Sequence, residues 1–133
     1  MACVFCVTTL LAFVSTAGAQ TIDCSLRPVA SNSFEKDRWV SADVKKSKPM
    51  VLTFSDFDFE NKRARMIGNQ SGVDVILFSN KRQIDLLEIT DSGNKMLTTL
   101  VPITDDLWTG VHSRHTVIID LVPSQYVGEC RKR

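Results

Sequence analysis

The residues of this sequence that could support chemistry are concentrated in one tetrapeptide near its C-terminal end. Residues 112–115 read His-Ser-Arg-His, and they include both histidines of the 133-residue chain. Histidine can act as a general base or a metal ligand near neutral pH, and arginine binds anionic groups through a planar array of N–H donors. The tetrapeptide therefore raises three possibilities: a metal site, a nucleophilic serine and an anion-binding site.

A metal held by His112 and His115 requires that the pair lie on a helix or a tight turn. In a continuous β-strand, residues three apart point to opposite faces of the sheet, so the two imidazoles could not reach one ion. A third ligand could come only through folding, from Asp105, Asp106 or Asp120. We therefore expect no metal and no cofactor, with one histidine hydrogen-bonded at the start of a strand and the other exposed.

Ser113 lacks the sequence context of a catalytic nucleophile. The Gly-x-Ser-x-Gly turn that exposes such a serine is absent around it, and a small β domain leaves little room for a substrate cleft. We expect no catalytic residue. A small hydrolase or metal-dependent enzyme centred on residues 112–115 remains the alternative.

Arg114, together with His112 and His115, forms a compact group of donors that could contact an anion or a partner. The competing interpretation is structural: Arg114 and His115 would fix the loop that carries Trp108 against the sheet. In that case the arginine would pair with one of three acidic side chains, Glu88, Asp105 or Asp106.

The N-terminal segment indicates export. Residues 1–14 are an almost unbroken apolar run without a charge, and the small residues Ala17 and Ala19 follow in the pattern that signal peptidase cleaves. The run ends before the roughly twenty apolar residues that a transmembrane helix needs. We therefore predict a signal peptide over residues 1–19 and a single secreted or periplasmic domain over residues 20–133, which is not an integral membrane protein once processed.

The predicted signal peptide separates the four cysteines into two pairs. Cys3 and Cys6 lie within the predicted signal peptide, which leaves Cys24 and Cys130 at the two ends of the mature chain. Two cysteines in an exported domain most simply form a disulfide. We therefore predict a Cys24–Cys130 disulfide that closes a loop of on the order of 100 residues.

The charge balance argues against nucleic acid as a partner. The chain has 16 Lys and Arg against 15 Asp and Glu, a formal net charge of +1. A nearly neutral domain has no overall positive field to attract a polyanion. We expect the partner to be another protein or a small-molecule ligand.

Hydrophobic periodicity predicts an all-β fold. Short runs of alternating or wholly apolar residues recur about every ten residues between Gly-, Asn-, Asp- and Ser-rich turns, as in small antiparallel sandwiches and barrels. The change of phase between Phe54 and Phe57 indicates a β-bulge. Residues 73–78, apolar on both faces after Asp74, are expected to form a central strand, and the last strand, also apolar on both faces, is expected to be covered on both sides at least in part. We predict about seven strands, at residues 38–44, 50–54, 63–67, 73–78, 83–90, 95–101 and 115–122.

Taken together, these features predict a small exported β-domain protein. We expect a non-catalytic binding or interaction module, for another protein or for a small apolar or anionic ligand. A structural component of the cell envelope is the other non-catalytic alternative. A polar cleft, an enclosed apolar cavity and an exposed apolar patch would distinguish an enzyme, a ligand carrier and an interaction module respectively.

Overall fold

The computed structural model describes residues 20–69, 71–117 and 121–133. The predicted signal peptide, residues 1–19, lies outside the described residues and stays a prediction. Gln70 and residues 118–120 also lie outside them, so neither Asp120 as a possible ligand nor the apolar pair Ile118–Ile119 can be placed.

The described chain is built almost entirely from β-strands, which confirms the predicted all-β class. Nine strands are present among the described residues, rather than about seven. In chain order they are β1 (Ile22–Glu35), β2 (Arg38–Ser41), β3 (Met50–Asp58), β4 (Arg63–Ile67), β5 (Val73–Ser79), β6 (Ile84–Ile89), β7 (Lys95–Pro102), β8 (Leu107–Val117) and β9 (Leu121–Lys132).

Eight of these strands form a closed antiparallel barrel. β3 to β9 follow one another as antiparallel neighbours, and β1 pairs with both β3 and β9. Closure removes the two free edges that an open sheet would present to solvent or to other chains. The sequence left a sandwich and a barrel as alternatives, and the structure is a barrel.

β1 closes the barrel and then extends beyond it. Its first residues, Ile22 to Leu26, pair with β3 on one side and β9 on the other, whereas Asn32 to Glu35 pair with the short strand β2. β2 pairs only with β1 and lies outside the ring. The β1–β2 turn has positive φ at Lys36 and Asp37, as tight hairpin turns require.

The predicted bulge between Phe54 and Phe57 is confirmed. The register of β3 against β4 shifts between Ser55 and Asp58, and Asp56 has a φ of 53°. An extra residue at this point reverses the side-chain phase of β3. As a result both Phe54 and Phe57 contact the core although they are three residues apart.

The core fills the barrel interior with alternate apolar residues from seven of the eight barrel strands, while the buried positions of β8 are Gly110, His112 and Thr116. Cys24 and Cys130 are directly opposite each other on β1 and β9, with Cα atoms 4.0 Å apart, and they form the predicted disulfide inside this core. The buried apolar side chains are Ile22, Cys24, Leu26, Leu52, Phe54, Ala64, Met66, Val75, Leu77, Ile84, Leu86, Leu100 and Cys130.

Three of the predicted boundaries are wrong. Residues 20–37 lie before the first predicted strand, but most of them form β1, because Ile22, Cys24 and Leu26 alternate into the core. Residues 104–110 were expected to be a loop, but β8 already begins at Leu107. Residues 115–122 are not the last strand: they contain the end of β8 and the start of β9, and Pro123 lies within β9.

The expectation that residues 73–78 form a central strand is confirmed, because β5 pairs with β4 on one side and with β6 on the other. Val75 and Leu77 are buried, but Ile76 is 42% exposed and Phe78 is 49% exposed on the outer surface. A barrel of eight strands buries only its inner face, so the outward side chains of β5 meet solvent.

Over the residues described, no helical segment has the length and apolarity that crossing a bilayer would require.

Candidate binding site at the open end of the barrel

β8 separates the side chains of the His-Ser-Arg-His tetrapeptide. The strand is continuous from Leu107 to Val117, so successive side chains alternate between the interior and the outer surface. His112 is 1% exposed and faces inward with Arg114, whereas His115 is exposed on the outside. The structure therefore places the side chains of His112 and Arg114 on one face of β8 and that of His115 on the other, although Arg114 and His115 both border a separate pocket beside Pro123.

His112 and Arg114 line a cavity at one end of the barrel, which we call the open end. At this end β4 and β6 finish and β3, β5 and β7 begin. The cavity has a volume of about 330 Å³ and is partly open to solvent. Its lining residues are Met50, Leu52, Met66, Gly68, Asn69, Ser71, Val73, Glu88, Met96, His112 and Arg114.

His112 is held in a fixed orientation at the inner side of this cavity. Its Nδ1 atom is 2.8 Å from the hydroxyl of Thr98, a buried residue directly opposite on β7. The ring of Tyr126 contacts it edge-on with centroids 6.0 Å apart. Burial, reinforced by the positive charge of Arg114, lowers the pKa of His112 to about 4. The imidazole is therefore neutral near pH 7.

The neutrality of His112 predicts a loss of stability in acid. The unfolded chain takes up this proton near pH 6.5 but the folded chain only near pH 4, so the unfolded state binds more protons between these values. We expect the free energy of unfolding to fall by about 3 kcal/mol from pH 7 to pH 4 through this residue. Urea denaturation at several pH values should show a flatter dependence in His112→Gln.

The matched control for that measurement is His115→Gln, which replaces the exposed histidine of the same strand. It should keep the pH dependence of the wild-type protein. If the free energy of unfolding depended on pH equally steeply in His112→Gln and in the wild type, His112 would not be buried in its neutral form.

Arg114 and Glu88 are the two charged residues of the cavity lining. Burial raises the pKa of Glu88, and the positive charge of Arg114 partly opposes that rise. No ion pair within 4.0 Å joins Arg114 to a carboxylate among the described residues. The Nε atom of Arg114 is buried there without a hydrogen-bond partner. Asp105 and Asp106, also considered as its partners, lie in the β7–β8 turn at the opposite end of the barrel.

The apolar part of the lining includes a set of residues that sequence reasoning missed. Met50, Met66 and Met96 come from β3, β4 and β7, and they are all the methionines of residues 20–133. Methionine is flexible and polarizable, and it is often used where a surface must adapt to a ligand. The one sequence signal for this set is that each methionine occupies an inward-facing position near the end of its strand.

The described residues do not assemble the alternative reactive sites. Within residues 20–69, 71–117 and 121–133, no three His, Cys, Asp or Glu side chains come together in a way that could hold a metal ion. Ser113 lies on the opposite face of β8 from His112, because adjacent strand residues point in opposite directions.

Comparison with known proteins does not assign the chain to a family. No family model matches the sequence, and no curated protein matches it. The residues of the cavity are therefore the basis on which a function can be proposed.

Proposed function

We propose that this protein is a non-catalytic binding module that holds a small molecule in the open end of its barrel. The observation that carries the proposal is the cavity itself, a partly open space of about 330 Å³ that apolar side chains line together with three polar groups, Glu88, His112 and Arg114. We further propose that it acts in the periplasm or outside the cell. A disulfide inside the core is consistent with folding outside the cytoplasm.

The size and composition of the cavity support a small-molecule ligand. Ligand sites in proteins are usually concave spaces of roughly 300–1,000 Å³, lined by apolar side chains with a few polar groups that orient the ligand. Methionine, leucine and valine side chains form the apolar part of this lining, and Glu88, His112 and Arg114 provide the polar groups. Asn69 and Ser71 add hydrogen-bonding side chains from the β4–β5 turn.

A binding role fits these side chains better than a catalytic one. The Nδ1 atom of His112 is already engaged by Thr98, and its pKa near 4 makes it a weak base at neutral pH. Ser113 points away from it, so the tetrapeptide provides no nucleophile next to a base. The same groups are well suited to hold a ligand without transforming it.

Filling the cavity should abolish ligand binding. We expect the protein to bind the neutral apolar probe octanamide saturably in isothermal titration calorimetry. In Met96→Trp the larger side chain points into the cavity, and the affinity should fall at least tenfold because the ligand and the indole compete for one space.

The neighbouring residue supplies the matched control. Leu97 is exposed on the outer surface of the same strand, so Leu97→Trp adds the same bulk outside the barrel and should bind octanamide as the wild type does. The proposal is wrong if the wild-type protein does not bind the probe, or if the two tryptophan variants bind it equally well.

A further inference from the structure

We infer that the ligand is a small amphipathic acid, whose single carboxylate binds to Arg114 while its apolar part contacts the methionines of the open end. This inference rests on the proposed function and names the chemical class of the ligand. It is carried by the position of Arg114, by the balance of charge in the cavity and by the distribution of apolar side chains around it.

The first observation is the unpaired donor. The Nε atom of Arg114 is buried, and within the described residues it has no hydrogen-bond partner. Buried N–H groups are nearly always paired, since leaving one unpaired forfeits the hydrogen bonds that water would have made. A guanidinium is a planar array of donors that matches the two oxygens of a carboxylate. Arg114 also lines the cavity, so a carboxylate that drew the guanidinium toward this space would supply the missing acceptor.

The second observation is the charge of the lining. Arg114 is the only lysine or arginine among the described residues that line the cavity, and Glu88 is the only carboxylate. His112 adds no charge near pH 7 because burial keeps it neutral. Arg114 is the one cation there and Glu88 already competes for it, so the lining can hold at most a single added negative charge, and a dianionic group such as a phosphate monoester would lack a second cation. This balance favours a carboxylate.

The third observation is the apolar surface around the arginine. Met96 is directly opposite Arg114 in the β7–β8 register, so a group bound to the guanidinium is adjacent to a thioether side chain. Met50 and Met66 approach the same cavity from β3 and β4. The lining thus provides a polar position for the head group and a flexible apolar surface for a hydrocarbon part.

The inference is tested by comparing two probes that share a chain and differ in charge. Octanoate and octanamide would be titrated into the full-length mature protein at pH 7.5 by calorimetry. We expect the wild type to prefer octanoate. In Arg114→Met the affinity for octanoate should fall tenfold or more, as expected for the loss of a charge-assisted hydrogen bond, while that for octanamide should change less than about threefold.

Two further variants separate the local effect of Arg114 from general electrostatics. Lys95→Met removes an exposed cation at the start of β7, outside the cavity, and should leave octanoate binding within about twofold of wild type because solvent screens that charge. Glu88→Gln removes the competing acid and should strengthen octanoate binding by about threefold or more, with octanamide unaffected.

The outcomes distinguish this inference from the function on which it rests. Equal affinities for octanoate and octanamide, with no selective effect of Arg114→Met, would overturn the acid ligand and leave the small-molecule site in place. No saturable binding of either probe would overturn both. If circular dichroism shows that Arg114→Met is unfolded, the test rests on Glu88→Gln. An affinity of Glu88→Gln for octanoate equal to that of the wild type would then refute the inference.

Discussion

Replacing both Cys24 and Cys130 with alanine is expected to lower the free energy of unfolding by roughly 4–5 kcal/mol. The disulfide joins residues separated by 106 positions, so it restricts nearly the whole unfolded chain. Both sulfur-bearing side chains are also fully buried in the barrel core, with Cys130 directly opposite Trp108 on β8. The expected loss is a large part of the roughly 5–15 kcal/mol by which domains are usually stable. Urea denaturation of the variant and the wild type measures it directly.

Reductant provides the internal control for this experiment. The wild-type protein should lose a comparable amount of stability in dithiothreitol, whereas the double alanine variant should not respond to it. A difference below about 1 kcal/mol between oxidised wild type and the variant would show that β1 and β9 hold the barrel closed without the covalent bond.

Gly128→Ala is the second substitution with a large expected effect, a destabilisation of about 3 kcal/mol or more. Gly128 lies on β9 between Leu26 of β1 and Gly110 of β8. A Cβ atom placed on it would clash with the carbonyl oxygen of Ser25 and lie 3.0 Å from the Cα atom of Leu26. Both atoms belong to the backbone of β1, so the strain cannot be relieved by a side-chain rotation and the closing strand pair must separate.

Gly68→Ala is the matched control for Gly128→Ala. A Cβ atom at Gly68 would meet only the Cδ2 atom of Leu52, at an ordinary contact distance of 3.5 Å. Its stability should remain within about 1 kcal/mol of wild type. Thermal unfolding of the two variants side by side tests the difference, and equal stabilities would mean that β1 does not approach β9 as closely as the structure has it.

Much of the secondary structure was predictable because alternation in a strand is a local property. The run from Met50 to Phe54 shows its apolar face directly, and the reversal of that phase at Phe57 is enough to indicate the bulge. The disulfide was predictable for a different reason: outside the predicted signal peptide, only Cys24 and Cys130 are left to pair.

The boundaries near Trp108 and Pro123 were not predicted correctly, because the signals at those places are weak or point the other way. Pro123 cannot donate a ladder hydrogen bond and was expected to end a strand, yet β9 includes it near its start, where a missing donor is tolerated. Trp108 stands among polar and turn-forming residues, and only pairing with Cys130 and Pro102 makes its segment a strand.

The candidate site, too, was predictable in part. Arg114 and His112 were identified from residue type and spacing, and so was His115, which the structure leaves on the outer surface. The rule that strand residues alternate already implied that the two histidines would separate if the strand were continuous. Whether it was continuous depended on β7 and β9, which pair with β8 along its length.

By itself, the sequence determined the all-β class, the bulge and the pairing of Cys24 with Cys130, since each depends on local alternation or on which residue types are present. Only the tertiary structure decided that β1 closes a barrel with β9, that Glu88 and three methionines line one cavity with Arg114, and that the Nε atom of Arg114 has no partner among the described residues. These features join strands far apart in the chain. Their geometry follows from register and closure, which are set by the summed packing of all the strands and not by any one segment.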